Sequence, residues 1–176
     1  MSVKKILNAV STAVVVIVAV VVLGLVAMRL MGLQGYVVLS GSMEPVYHTG
    51  SVIYVQSKVD ASALEEGQII TFRRTGETSA TQRSIEVVEE NGAVRYRTKG
   101  DANEVADGSL VDPAQVIGTP KFSIPYLGFA LTYIQSAQGR YAAIAVGALL
   151  LLIVFLPSLI SEKGNDKKSK TKEEQT

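Results

Sequence analysis

The chain has 176 residues, a formal charge of +1, one histidine and no cysteine. The missing thiols exclude disulfides, thiolate metal sites and cysteine nucleophiles, and the balanced charge leaves no basic field for nucleic acid. The lone His48 argues against a histidine-rich metal site, and no motif calls for a metal or a cofactor. Mean hydropathy is +0.29, with much of the apolar content gathered in one run at each end around a middle of ordinary soluble composition.

From Ile6 to Met28 there is no charged residue, and Val14 to Val26 is nearly all Val, Ala, Ile and Leu. About 20 such residues cross a bilayer core, and in lipid a lone segment satisfies its backbone only as a helix. A cleaved signal peptide is the competing reading, since Lys4 and Lys5 precede the run. The apolar core exceeds the roughly 7–15 residues usual there and no clean small-x-small site follows, so a retained anchor over residues 6–31 is favoured. The second run, Tyr141 to Ile160, holds another 20 residues without charge. A core helix so uniformly apolar could hardly be enclosed by a small central domain, so a span over 140–160 is expected.

Lys4 and Lys5 flank the first span, and Lys163, Lys167, Lys168, Lys170 and Lys172 follow the second, against Arg29 and Arg140 on the other side. By the positive-inside bias both termini (1–5 and 161–176) are expected in the cytoplasm, with 32–139 exported. The expected location is a cell membrane or endomembrane, with lipid as one partner. The exported part has eight Lys and Arg against twelve Asp and Glu. The charged tail from Ser161 lacks apolar residues, and its composition predicts no ordered structure.

Between the spans the pattern is that of short strands. Tyr36–Leu39, Ser51–Gln56, Ile69–Phe72 and Val116–Ile117 are rich in β-branched and aromatic residues. Ser84–Glu90 and Ala93–Thr98, separated by Asn91-Gly92, read as a hairpin with a type I′ turn. Ile124-Pro-Tyr-Leu-Gly128 is too broken for a long strand. Tyr126, Phe129 and Tyr133 fit either a headgroup-level belt or domain core. The middle segment is therefore mainly β, with no repeat and no Gly-rich phosphate loop.

Directly after the first strand comes Ser40-Gly-Ser-Met-Glu-Pro45. Gly41 permits a close backbone approach and Pro45 stops any helix. A serine on such a turn suits a nucleophile, with neighbouring N–H and O–H donors for an oxyanion; Ser-Gly-Ser is also a common turn. Together with His48-Thr-Gly50 and Thr98-Lys-Gly-Asp-Ala-Asn103, this box resembles the type I signal peptidases. The likeness is to the endoplasmic-reticulum and archaeal branch, also found in Gram-positive bacteria, and it extends from the anchor to Ile124–Gly128.

The resemblance implies a signal-peptidase-like β fold on two transmembrane helices, cutting signal peptides from exported preproteins after small residues. It implies Ser42 as nucleophile, Ser40 as an assisting hydroxyl, Asp107 as the carboxylate that orients the base, and Asp101 as a structural acid. On its own, Asp101 would be read as a turn residue bonding its own backbone. One position departs from the pattern. The branch carries a histidine base just before an arginine, and here Ala80-Thr-Gln-Arg-Ser84 puts Gln82 in its place. An amide has no useful basicity near neutral pH. Three substitutes are open: His48, Lys99, or a water between Gln82 and Asp107.

Three functions remain open at this stage. The first is a working signal peptidase I of low activity. The second is a weak or silent homologue that binds such segments as an assembly factor or chaperone, with secretion or pilus and fibre assembly partners. The third is a non-enzymatic membrane scaffold.

Overall fold

The computed structural model describes residues 3–74, 78–90 and 92–173, with side chains at 5–6 and 8–155 within those ranges. The chain divides into two compact units, residues 1–26 with 133–176, and residues 27–132.

In the first unit, apolar sequence becomes helix as expected. Helix α1 covers Val3–Leu30 and α3 covers Ala137–Glu173. The stretches Asn8–Leu30 and Ala137–Phe155 are long and apolar enough to cross a membrane, with mean hydropathies of 3.0 and 1.8 and almost none of their surface buried within the protein. Ser11 Oγ donates to the Val154 carbonyl at 3.2 Å, so a polar side chain in α1 finds its partner on α3. The helix runs on into the charged segment, where no order was expected, and ends at Glu173. Lys and Glu are good helix formers, and extending an existing helix avoids the cost of nucleation.

The second unit is built on one seven-stranded antiparallel sheet, in the order β1-β2-β7-β3-β4-β5-β6. The strands are β1 (Leu33–Val37), β2 (Val52–Gln56), β3 (Ile69–Arg73), β4 (Ser79–Glu90), β5 (Ala93–Lys99), β6 (Leu110–Val111) and β7 (Val116–Ile124). The β4–β5 hairpin forms where the sequence placed it. Gly92 adopts φ 77°, as its turn requires, while Asn91 lies outside the described residues.

Several boundaries differ from the sequence reading. β4 starts at Ser79 rather than Ser84, because its polar first half pairs with β3, from Ser79 opposite Arg73 to Arg83 opposite Ile69, while β5 joins only from Arg83 onward. There the neighbouring strand outweighs intrinsic preference. β7 reaches Ile124 despite Pro120. It pairs with β3 only through Val116 and Gly118 and with β2 from Thr119 onward, so Pro120 interrupts no ladder on the β3 side. At the crossover a Cβ on Gly118 would lie 2.0 Å from the Gln56 carbonyl oxygen, so only glycine fits.

A helix not read from the sequence, α2 (Leu127–Gln135), follows β7. Its first turn packs onto the loop before β2: Gly128 N donates to Gly50 O at 2.9 Å, and Phe129 lies over Gly50, where an added Cβ would meet its ring at 2.1 Å. Phe129 thus packs on the domain, although more than half exposed, whereas Tyr126 is largely exposed.

The main core cluster joins Leu64, Ile70, Phe72, Tyr96 and Val111. Tyr96 is fully buried and donates to Ala61 O at 2.7 Å; burial pushes its phenol pKa up. Ile70 is fully buried on a central strand. We expect Ile70→Ala to lower stability by about 2–5 kcal/mol, measured by urea unfolding in detergent micelles. A loss below about 1 kcal/mol would contradict this placement of the core.

Candidate active site

The loop after β1 presents Ser40 and Ser42. It is anchored by Met43, which is 2% exposed, and tightened by bonds from Glu44 N to Gly41 O at 3.0 Å and from Tyr47 N to Met43 O at 2.9 Å. The turn after β5 holds it from behind. Ala102 N donates to the Ser42 carbonyl at 2.9 Å, and a Cβ on Gly100 would fall 2.4 Å from that same oxygen. Gly100 is therefore required by close approach.

Strand β4 supplies the other half. Alternation along the strand sends Gln82 and Ser84 to one face and Arg83 to the other. On Arg83's side, its guanidinium grips Asp101 through two bonds, Nε to Oδ1 at 2.8 Å and Nη2 to Oδ2 at 2.7 Å, and a third bond reaches Gly67 O at 2.8 Å. Asp101 thus answers a strand residue rather than its own turn. The bonds to Asp101 raise the Arg83 pKa.

On Gln82's side, Nε2 donates to Asp107 Oδ1 at 3.3 Å, and Thr98 Oγ1 donates to Asp107 Oδ2 at 2.6 Å. Asp107 N in turn donates to Thr98 O at 2.8 Å, so the carboxylate is fixed at both its backbone and its head. Arg74 Nη2 stands 4.0 Å from Asp107 Oδ1. Neither Arg74 nor Thr98 was singled out from the sequence. Thr98 adjoins the Lys-Gly-Asp box, but an arginine at a strand end carries no sequence signal of a site.

Ser42, Ser40, Gln82 and Asp107 line one cleft of about 780 Å³, whose other walls include Val37–Leu39 and Thr78–Thr81. Ser40 Oγ and Ser42 Oγ are 3.3 Å apart. Among the described residues Ser42 Oγ has no hydrogen bond to Gln82, and Gln82 Oε1 is buried without a partner. Leaving such an acceptor unpaired costs about 1–3 kcal/mol. His48 and Lys99 are not among the residues lining the cleft. His48 is 62% exposed and pairs with Glu44 on its own turn. Among the described residues no cluster of His, Asp or Glu could hold a metal ion.

The family described as "Signal peptidase, peptidase S26" matches residues 8–89, a stretch that includes Ser42 and Gln82. "Signal peptidase I W" of Bacillus subtilis (strain 168) is 37% identical over 94 residues, covering 53% of this chain and 46% of that protein. "Signal peptidase complex catalytic subunit SEC11C" of Rattus norvegicus and of Homo sapiens is 35% identical over 127 residues, covering 66% of each chain. The chain belongs to the signal peptidases. It spans about half to two thirds of the length of these curated relatives. Its relatives come from both sides of the resemblance drawn from the sequence, a Gram-positive enzyme and catalytic subunits of the endoplasmic-reticulum type.

Two expectations follow for this signal peptidase family member. Tyr47 borders the cleft, and its phenol pKa is raised chiefly by burial, with Arg83 pulling it down and Asp101 pushing it up. A phenol kept neutral by folding adds stability below its unfolded pKa, and that contribution is lost as pH climbs through the folded value. Alkaline titration followed by ultraviolet absorbance should therefore show a late-ionising phenol that disappears in Tyr47→Phe. Loss of an early phenol instead would contradict the burial of Tyr47. Asp101→Ala should lower stability by about 1–3 kcal/mol and make the Ser42 loop more sensitive to added protease. Unchanged loop digestion would refute the coupling between them.

Proposed function

We propose that this chain is a membrane-bound signal peptidase I, a serine endopeptidase that removes signal peptides from exported preproteins after small residues, with low activity as its sequence stands. The observation that carries the reading is the meeting of Ser42, Ser40 and the Gln82–Asp107 pair on one cleft. In this reading Ser42 Oγ attacks the scissile carbonyl, its proton leaves to solvent, and the Ser40 hydroxyl donates to the oxyanion. Expulsion of the amine, which takes a proton from solvent, leaves an acyl-enzyme, which water hydrolyses to free Ser42. The extended walls at Val37–Leu39 and Thr78–Thr81 suit a substrate lying as a strand.

Gln82 sets the rate in this proposal. Its amide bonds Asp107 and so keeps the geometry of a base, yet it neither accepts the serine proton nor returns one to the leaving amine. Asp107 takes the orienting role with nothing basic to orient, and Asp101 acts through Arg83 to hold β4 against the Ser42 loop. The proposal includes the topology, with residues 6–31 and 140–160 spanning, 32–139 exported, and 1–5 and 161–176 in the cytoplasm. Preproteins are the substrates and membrane lipid the other partner.

Incubation with a preprotein in liposomes tests the chemistry. Slow cleavage by the native chain should vanish in Ser42→Ala and rise about 10²–10⁴-fold in Gln82→His, the range supplied by a general base. A native chain without activity that Gln82→His revives would make this a silent homologue that binds such segments. Indifference to both substitutions would overturn the site. Protease added outside intact cells should digest the central domain and spare the tail; digestion of the tail would overturn the orientation.

A further inference from the structure

Arg74 and Asp107 are the charged residues among those lining the cleft, and their situations differ. Asp107 is committed: Oδ1 accepts from Gln82 and Oδ2 from Thr98. The Arg74 guanidinium, about half exposed, makes no hydrogen bond among the described residues; its contact is the 4.0 Å approach to Asp107 Oδ1. An exposed pair at that distance holds its partners weakly. Its backbone is fixed nonetheless, because Arg74 N donates to Thr78 O at 2.9 Å just beyond β3. The cleft therefore holds a planar fork of up to five N–H donors, on a fixed backbone, that makes no hydrogen bond among the described residues.

Beside it, Gln82 Oε1 is an unpartnered acceptor on a residue only 5% exposed. Donor fork and buried acceptor flank the same carboxylate within reach of the Ser42 cleft.

We infer that Arg74 is a specificity determinant, selecting peptides that carry an acidic side chain close to the bond presented to Ser42. This rests on the proposed peptidase reading and names the substrate class that the site prefers. A carboxylate bidentate on the Arg74 guanidinium lies nearer to that charge than to Asp107, so attraction exceeds repulsion, while a lysine at the same place meets like charge.

The test uses the full chain as Ser42→Ala in liposomes, so that binding is read without cleavage. Fluorescent peptides with a small-residue cleavage motif carry Glu, Gln or Lys at successive positions on either side of it. At one position Glu should bind roughly fivefold tighter than Gln and Lys weaker than Gln, with the preference shrinking as salt is raised. Arg74→Gln should abolish the preference and Arg74→Glu should reverse it in favour of Lys. Peptides that bind without charge preference, or a preference unaltered in Arg74→Glu, overturn this inference alone. No binding by any peptide overturns the peptidase reading beneath it.

Discussion

Strands β4 and β5 meet with Arg83 opposite Lys99 and Ser84 opposite Thr98, and a one-residue slip in that register would take the site apart. Because side chains alternate, a slip would exchange the faces of Gln82 and Arg83. Gln82 would lose Asp107, which Thr98 holds, and Arg83 would lose Asp101. The register is defended by burial, since Ser84 and Thr98 are both wholly enclosed. Just beyond, β4 carries one extra residue, Ile85, between the Ser84 and Glu86 pairings. A bulge there restarts the ladder toward the hairpin turn and confines the site's register to the inner half of the strand. From these paired residues the chain makes one short turn through Gly100 to Ala102, which reaches the carbonyl of Ser42. The Ser42 loop thus belongs to the same frame as the strand that carries Gln82.

That frame explains the Lys-Gly-Asp box without giving any member a chemical step. Gly100 is there because Ser42 O leaves no space for a side chain. Asp101 is there because Arg83, held in β4, needs a bidentate partner, and a partly buried guanidinium without one would be costly. Lys99 follows from strand register and stays away from the cleft. Asp107, six positions beyond Asp101, shares the residue type and little else. It faces the cleft, and its backbone is fixed to Thr98.

Much of this was legible in the sequence, for physical reasons that vary by element. The two long apolar helices announce themselves through uninterrupted apolar length, and the hairpin through Asn91-Gly92 between β-branched runs. The serine box and the Lys-Gly-Asp box are recognisable because close approach and tight turning restrict residue choice. The early start of β4 was not legible, since Ser79, Thr81 and Gln82 gain their strand conformation from β3 rather than from their own preference. The full length of β7 was hidden by Pro120, which reads as a break until the change of partner at Gly118 is seen. Helix α2 has nine residues and depends on the glycine contact at Gly50. Arg74 was invisible because its role comes from the folding of β3 beside β4, not from its neighbours in the chain.

At the position where the resembled branch carries a histidine, Gln82 donates to Asp107 and is buried. What changes is the ability to carry a proton. A neutral amide offers one donor group and one acceptor, both fixed in kind, where imidazole alternates between the two. With the donor spent on Asp107, the acceptor Oε1 is buried without a partner, and among the described residues Ser42 Oγ bonds only the Ser40 hydroxyl. Donors, shape and the Arg74 charge do not depend on proton transfer, whereas a proton relay does. In the function proposed above, the cleft therefore seats a peptide and orients its carbonyl, while Ser42 lacks the base that would let it act quickly.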